Sequence, residues 1–324
     1  MRVNPVVESL PILVLYPHSR CNCRCVMCDI WKTDTIQEIS AEELEQHVAD
    51  MERVHVQWVV FSGGEPLMHS DLFRLCRILR ERNIRTTILS TGLLLERHAR
   101  QIVANADDVI VSLDGPPAIH DQIRRIPRAF DIMQRGIDAL LLLKPDFPVC
   151  ARSTVQRLNH AHLRETVETA RHMGVRSISF LAADLTSSAF NRPQPWNENR
   201  QGDIGLTSEE IDTLEAEIDA LPDPGGFVVE TREKLRRIAA HFRAHLGQTE
   251  PVAPVCNAPW VSAVIESDGT VRPCFFQPPI GTIRGNGSLL HVINGLQAQA
   301  FRSSLNVATN AICCRCVCSL NWKS

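Results

Sequence analysis

Cys21, Cys25 and Cys28 stand in the stretch Cys21-Asn-Cys-Arg-Cys25-Val-Met-Cys28, a C-x3-C-x2-C array. Three thiolates at that spacing can wrap one compact loop around one metal centre. They are one short of the four that a closed tetrahedral zinc site or a four-cysteine iron–sulfur cluster takes. A cluster held by three cysteines leaves one iron open, and an open iron can bind a molecule that reacts.

The rest of the cysteine inventory points the same way. There are 12 cysteines among 324 residues, and most crowd toward the two ends of the chain. The first apolar run, Leu10 to Leu15, is short and contains Pro11, so it does not read as a signal peptide, and no stretch is long enough to span a membrane. A reducing, cytoplasmic setting follows as the expectation, and there clustered cysteines bind metal more often than they pair. With 44% apolar residues the chain can bury a large core and does not need disulfide staples. A net charge of −3, with mixed signs, leaves no basic footprint for nucleic acid. No internal repeat is present at a solenoid period.

The elements that must position these cysteines alternate between strand and helix. Short apolar runs predict buried strands at 12–16, 57–61, 86–89, 108–113, 149–155 and 177–181. Between them, helices are expected from the Ser40-Ala-Glu-Glu43 capping box to about Met51, and near 71–82, 94–104, 130–143 and 161–173, the last ending at Gly174. Six such units predict an α/β fold with a parallel sheet and right-handed crossovers, closed or partly closed. In such sheets the chemistry sits at the carboxyl ends of the strands. The loops there are the cysteine loop, Ser62-Gly-Gly-Glu-Pro66, Ser90-Thr-Gly92 and Asp114-Gly115. From Thr186 to Ile204 a polar, proline-bearing stretch around Trp196 reads as a long loop, either a lid or a solvated linker. Thr207-Ser-Glu-Glu210 caps a helix to about Leu221, another follows near 231–246, and Asp268-Gly269 joins a hairpin of 261–265 with 270–272.

The triple cysteine, Gly63-Gly64-Glu65-Pro66, and Ser112-Leu-Asp-Gly115 followed by His120-Asp121 and Arg124 together resemble the radical S-adenosylmethionine (SAM) superfamily. The resemblance implies a partial (β/α)6 TIM-like barrel and a [4Fe–4S] cluster on Cys21, Cys25 and Cys28. Its open iron would be chelated by SAM, whose reductive cleavage gives a 5′-deoxyadenosyl radical that abstracts hydrogen from substrate carbon. An external electron donor such as flavodoxin or ferredoxin is implied as a partner.

The residues can be read physically beside that resemblance. Gly63 and Gly64 would let backbone approach the methionine amino group, Glu65 would accept from that ammonium, and Pro66 closes the motif. Ser112 with Arg124, or its neighbour Arg125, resembles a carboxylate clamp. Ser90 and Thr91, with Asn159, are placed to meet the ribose. Met27 stands where an aromatic often packs near the adenine, and a thioether is apolar and polarizable enough for that contact. Cys23 is expected to be a bystander, and Cys76 and Cys150 to be core residues.

At the other end, Cys256, Pro259-Trp260, the Asp268-Gly269 hairpin, Cys274, a Gly285-Asn286 turn and Cys313-Cys-Arg-Cys316-Val-Cys318 look like a small α+β auxiliary-cluster appendage of SPASM or twitch type. The chain reaches only to Ser324, which favours one auxiliary [4Fe–4S] cluster. Its simplest ligand set is Cys256, Cys274, Cys313 and Cys316, with Cys318 able to replace one of them. A zinc knuckle could use the same sulfurs. The resulting divisions are a barrel over 1–183, a linker or helical insertion over 184–250 and the auxiliary unit over 251–324.

A fully ligated auxiliary cluster is suited to electron transfer, so the expected outcome is oxidation of the substrate radical. Cys314 and Cys318 are spare thiols: either could return a hydrogen atom and give epimerisation, or hold a thiophilic substrate. About twenty residues precede Cys21, too few for a leader-binding module, which favours a small-molecule substrate over a peptide.

Overall fold

The computed structural model describes residues 4–192, 194–285 and 287–323. Asn286 of the expected Gly285-Asn286 turn lies outside them. The six apolar runs form parallel strands β1 (Ile12–Leu15), β2 (Trp58–Phe61), β3 (Arg85–Ser90), β4 (Asp108–Ser112), β5 (Val149–Val155) and β6 (Ile178–Ala182). Helices α1 (Ala41–Arg53), α2 (Leu72–Arg80), α3 (Leu95–Asn105), α4 (Pro117–Arg124), α5 (Ala129–Leu143) and α6 (Leu163–His172) lie between them. This is the partial (β/α)6 barrel. The Ser40 capping box forms, with Ser40 Oγ accepting from the Glu43 N–H and Glu43 accepting from the Ser40 N–H. Leu72, Leu75, Cys76 and Leu79 bury one face of α2 against the sheet. Each leucine so buried contributes roughly 1.5–3 kcal/mol.

Helix α4 had no counterpart in the apolar pattern. Its start is set by Pro117 at the first turn, and it buries only His120, Ile123 and Arg124. Beyond β6 come α7 (Glu198–Ile204), α8 (Ser208–Ala220), under its Thr207 capping box, and α9 (Arg232–His245). The C-terminal part holds α10 (Ala258–Val261), β7 (Ser262–Ile265), β8 (Thr270–Arg272), β9 (Gly281–Thr282), α11 (Leu289–Asn294), α12 (Leu296–Ser304) and α13 (Ala311–Cys314). The predicted hairpin is the antiparallel β7–β8 pair.

The sheet order is β6-β5-β4-β3-β2-β1-β7-β8-β9. Strand β7 pairs in parallel with β1, residue for residue from Ile12↔Ser262 to Leu15↔Ile265. The unit expected over 251–324 therefore extends the barrel's own sheet.

The strands alternate between two environments. Leu13, Leu15, Val59, Phe61, Ile88, Val109, Val111, Val149 and Ala151 are buried beneath the helices. Val14, Val60, Leu89, Ile110, Ser112, Cys150, Arg152 and Leu181 lie on the other, concave face and stay at least partly exposed. Cys150, expected in the core, is on this concave face; Cys76 is fully buried.

Candidate active site and auxiliary cysteine site

The cysteine loop leaves the end of β1 and is stitched to α4. The Arg24 N–H donates to the Arg124 carbonyl (3.2 Å) and the Val26 N–H to that of Ile123 (3.0 Å). Arg124 then reaches two partners. Its Nη1 lies 3.4 Å from Cys25 Sγ and its Nη2 2.6 Å from Asp114 Oδ2. Both residues are buried. Asp114 Oδ1 accepts from the Thr154 N–H (2.9 Å), and the Asp114 N–H donates to His120 Nδ1 (3.3 Å). Burial pushes Asp114 up against the charge of Arg124, which holds it down, and keeps His120 neutral.

Cys21, Cys25 and Cys28, the three expected cluster ligands, lie within electrostatic range of one another. Cys28 Sγ accepts from the Ile30 N–H at 3.4 Å, so two of the three sulfurs receive N–H donors, as cluster thiolates do. Burial raises the Cys28 thiol to about 12 and also raises Cys21, while the Cys23 thiol and then Arg124 lower Cys25. Cys23, expected to be a bystander, is buried beside Cys25. Among the described residues, no three histidine, cysteine, aspartate or glutamate side chains are grouped for a single metal ion.

The residues expected to meet SAM divide into two groups. Glu65 is fully buried; Oε1 accepts from the Leu67 N–H and Ser90 Oγ (both 3.0 Å), and Oε2 from the Thr91 N–H (2.7 Å). Ser90 Oγ also accepts from the Gly92 N–H, and Thr91 Oγ1 donates to Asn22 Oδ1 (3.0 Å). Asn159 donates to the carbonyls of Asp114 and Thr154 and accepts from the Gln156 N–H. Glu65, Ser90, Thr91, Asn159 and Arg124 thus tie the loops after β2, β3, β4 and β5 to one another and to the cysteine loop. Their polar groups are engaged within the protein because short buried loops must satisfy their own donors and acceptors. Arg125, the alternative clamp, is exposed and closes α4 in the left-handed region.

Gly63, Gly64, Ser112 and Met27 remain half-buried, whereas Pro66 is buried. The glycines also have an internal reason. A Cβ on Gly63, at φ +90°, would stand 2.5 Å from Tyr16 Cγ, and one on Gly64 would stand 2.0 Å from the Arg20 carbonyl oxygen.

The stretch read as a lid or a linker clasps the cysteine loop. Arg192 Nη1 pairs with Asp184 Oδ2 (2.6 Å), its Nη2 donates to the Met27 carbonyl (3.3 Å), and its guanidinium lies 3.6 Å from the Trp196 ring centre. Trp196 Nε1 donates to Asp29 Oδ2 (2.8 Å), and Arg200 donates to the Val26 carbonyl.

The C-terminal cysteines converge although they are far apart in sequence. The Asn257 N–H donates to the Leu320 carbonyl (2.7 Å), and the Asn257 side chain pairs with the backbone of Trp322 (2.8 and 2.9 Å). This brings Cys256 to the cysteine-rich segment. Asn310 caps α13 by accepting from the Ile312 and Cys313 N–H groups, and Gln277 Nε2 lies 3.3 Å from Cys313 Sγ. Cys256 adds to the upward shift of Cys274, Cys313, Cys316 and Cys318, so these five sulfurs share one electrostatic neighbourhood. Cys314 Sγ donates to the Ala308 carbonyl (3.3 Å), and Cys318 is exposed. Sequence reasoning missed an aromatic group linking the two cysteine sites. Tyr16, just beyond β1, meets Phe275 (6.1 Å), which packs on Phe190 (4.8 Å) and Phe276 (4.9 Å). The Cys274-Phe-Phe276 run beside a proposed ligand was the signal available.

A cavity of about 430 Å³ opens between the concave ends of β5 and β6, α9 and the cysteine-rich tail. Arg152, Ser179, Glu230, His241 and Cys318 line it.

The sequence matches the profile of the radical SAM superfamily over residues 15–180 and that of SPASM, an iron-sulfur cluster-binding domain, over 256–317. The chain belongs to the radical SAM superfamily. As a radical SAM protein with a SPASM domain it uses SAM, a [4Fe–4S] cluster and auxiliary iron–sulfur chemistry. It is 30% identical over 159 residues to the AdoMet-dependent heme synthase of Methanosarcina barkeri, a match covering 48% of this chain and 45% of that protein. It is 28% identical over 310 residues to the GTP 3′,8-cyclase of Acidothermus cellulolyticus, covering 90% of this chain and 80% of that one. The chain spans less than half the length of the first curated relatives it matches. Among solved structures, Streptococcus suis SuiB bound to S-adenosylmethionine superposes with a TM-score of 0.63 at 14% identity, covering 98% of this chain and 74% of that one. Native anSMEcpe with bound AdoMet gives a TM-score of 0.63 at 18% identity, covering 93% and 84%. Both share this radical SAM fold. No helix among the described residues is long and apolar enough to cross a membrane.

Proposed function

We propose that this radical SAM protein oxidises a small-molecule substrate in the cavity between β5, β6, α9 and the C-terminal cysteines. Cys21, Cys25 and Cys28 would hold the SAM-binding cluster, and Cys256, Cys274, Cys313 and Cys316 the auxiliary one. When bound, SAM and the two clusters supply a 5′-deoxyadenosyl radical that takes a hydrogen atom from substrate carbon, and an acceptor for the one electron that remains.

The protein's own residues divide the remaining work. Gly63, Gly64 and Ser112 offer the accessible surface at the strand ends where SAM would lie. Glu65, Ser90, Thr91 and Asn159 keep those loops rigid, and Arg124 holds Cys25 in place from behind. Glu230, half-buried in the cavity with one oxygen accepting from the Phe180 N–H (2.9 Å), is raised by burial and suited to receive the proton that leaves an oxidised carbinol.

The observation that carries this reading is a cavity bordered both by the concave face and by the C-terminal cysteines. Its volume suits a small ligand. A second reading, epimerisation, draws support from Cys318, which is exposed and lines the same cavity. Anaerobic reconstitution tests the first reading. Bound iron at about eight atoms per chain and 5′-deoxyadenosine on reduction support it; zinc with no SAM cleavage overturns it. Solvent deuterium in recovered substrate, lost in Cys318→Ala, would move epimerisation ahead.

A further inference from the structure

The cavity carries an excess of positive charge, with Glu230 sharing the field of Arg152 and Lys234. Arg152, Lys234, Arg237 and Arg315 line it, against the carboxylates Glu230 and Glu250. None of these cations has a carboxylate within ion-pair distance among the described residues, whereas Arg164, Arg192 and Arg243 are all paired. Arg152 is the most specifically placed. It projects from the concave face of β5, in register with Ser112 on β4 and Ser179 on β6. Its Nε donates to Ser179 Oγ (3.2 Å), which fixes the guanidinium plane. No partner is found for its two terminal nitrogens among the described residues. A guanidinium held by Nε with its fork open is arranged for bidentate contact with an oxyanion. The adjoining concave face is apolar, with Cys150 on β5 itself, Ile110 on β4 and Leu89 on β3.

We infer that the substrate is an anionic small molecule, carrying a carboxylate or phosphate group that Arg152 binds, with Lys234, Arg237 and Arg315 supplying the surrounding field. This deepens the proposed function and rests on that cavity being the substrate site. Held there, the anion places the rest of the molecule along the apolar concave face, toward the end of β4 where Ser112 lies. The reacting carbon is then fixed relative to SAM by a contact remote from the chemistry.

Thiolates of a bound auxiliary cluster offset part of the positive charge, so the test uses the reconstituted holoprotein. Inorganic pyrophosphate and citrate serve as separate probes, titrated calorimetrically without reductant. At least one should bind, more weakly as salt is raised, and the stronger of the two identifies phosphate or carboxylate as the group preferred. Arg152→Gln and Arg237→Gln should each weaken it by about tenfold or more, the scale of one charge-assisted contact. Arg53→Gln, on the far surface in α1, serves as the control. Binding of neither probe overturns the inference, as does equal binding by wild type and both cavity variants. The titration needs no SAM cleavage, so its failure leaves the radical reading standing, and a failure of cleavage leaves the binding result standing.

Discussion

Arg124 connects Cys25 to Asp114, with Nη1 3.4 Å from the sulfur and Nη2 2.6 Å from the carboxylate. A cation that donates toward a cluster thiolate favours the reduced cluster, which is the more negative state. Arg124→Met should therefore lower the reduction potential of the SAM-binding cluster, measured by a redox titration followed by electron paramagnetic resonance. It should also cost about 3–5 kcal/mol of stability, because Asp114 is left buried without its partner. Adding Asp114→Asn should return much of the stability but not the potential. An unchanged potential in both variants would refute the contact's electronic role.

The two cysteine sets should separate by iron content. Cys21→Ala, Cys25→Ala or Cys28→Ala is expected to lose about four irons and all 5′-deoxyadenosine formation. Cys256→Ala or Cys274→Ala should lose a similar amount of iron yet keep some SAM cleavage. Cys23→Ala should keep both clusters. Iron assay and chromatography of 5′-deoxyadenosine decide it, and full iron retention by Cys256→Ala would remove that residue from the ligand set.

Gly63→Ala and Gly64→Ala should both destabilise the fold even without SAM. The first meets the Tyr16 ring at 2.5 Å and a φ of +90°; the second meets a backbone oxygen at 2.0 Å, which no side-chain movement can relieve. Costs of roughly 1–3 kcal/mol or more follow from overpacking and backbone strain. Thermal melts of the apoprotein check this: unshifted midpoints would mean that the glycines serve ligand approach alone.

Trp196→Phe removes the hydrogen bond to Asp29 Oδ2 while keeping most of the ring beneath Arg192. The expected loss is about 1–2 kcal/mol. Because Asp29 directly follows Cys28, the variant should release iron from the cysteine loop to a chelator faster than wild type. Equal release rates would show that the clasp does not guard that loop.

Burial lowers His241 to about 4 and holds His120 well below its usual value, so both stay neutral in the fold. The unfolded chain takes up these protons near pH 6.5. Below that pH the unfolded state binds more protons, so this contribution is fully present above about 6.5 and declines as pH falls toward 4. Each site contributes at most about 1.4 kcal/mol per pH unit. Urea midpoints should drop between pH 7.5 and 5.0, and His241→Gln should flatten the drop; identical slopes would count against a buried neutral His241.

The strands were legible because each is a short apolar run bounded by glycine, proline or polar residues, and the helix starts because Ser40 and Thr207 form real capping boxes. The cysteine triad and the C-terminal cysteine pattern were legible as spacing. Helix α4 was not, since its buried face consists of His120, Ile123 and Arg124, which gives too little apolar periodicity to register. The internal partners of Glu65, Ser90, Thr91, Asn159 and Arg124 were hidden for a related reason. A polar residue at a strand end reads the same whether it faces a ligand or a neighbouring loop, and only the fold shows that Glu65 is met by Ser90 and Thr91 and that Arg124 is met by Asp114. Cys150 was misplaced because a half-open barrel exposes the inner face of its strands, so a residue flanked by apolar neighbours need not be in the core.

Strand β1 is hydrogen-bonded on both sides, to β2 within the barrel and to β7 of the SPASM region. The strand that launches the first cysteine loop is thus an interior strand, and a truncation after residue 250 would turn it into an edge. Such a fragment would expose four residues of unpaired backbone and invite pairing with another copy of itself. The edge of the barrel's first strand is covered by its C-terminal partner, and the spacing between the two cysteine sites is set by the ladder between neighbouring strands rather than by the docking of two independent bodies.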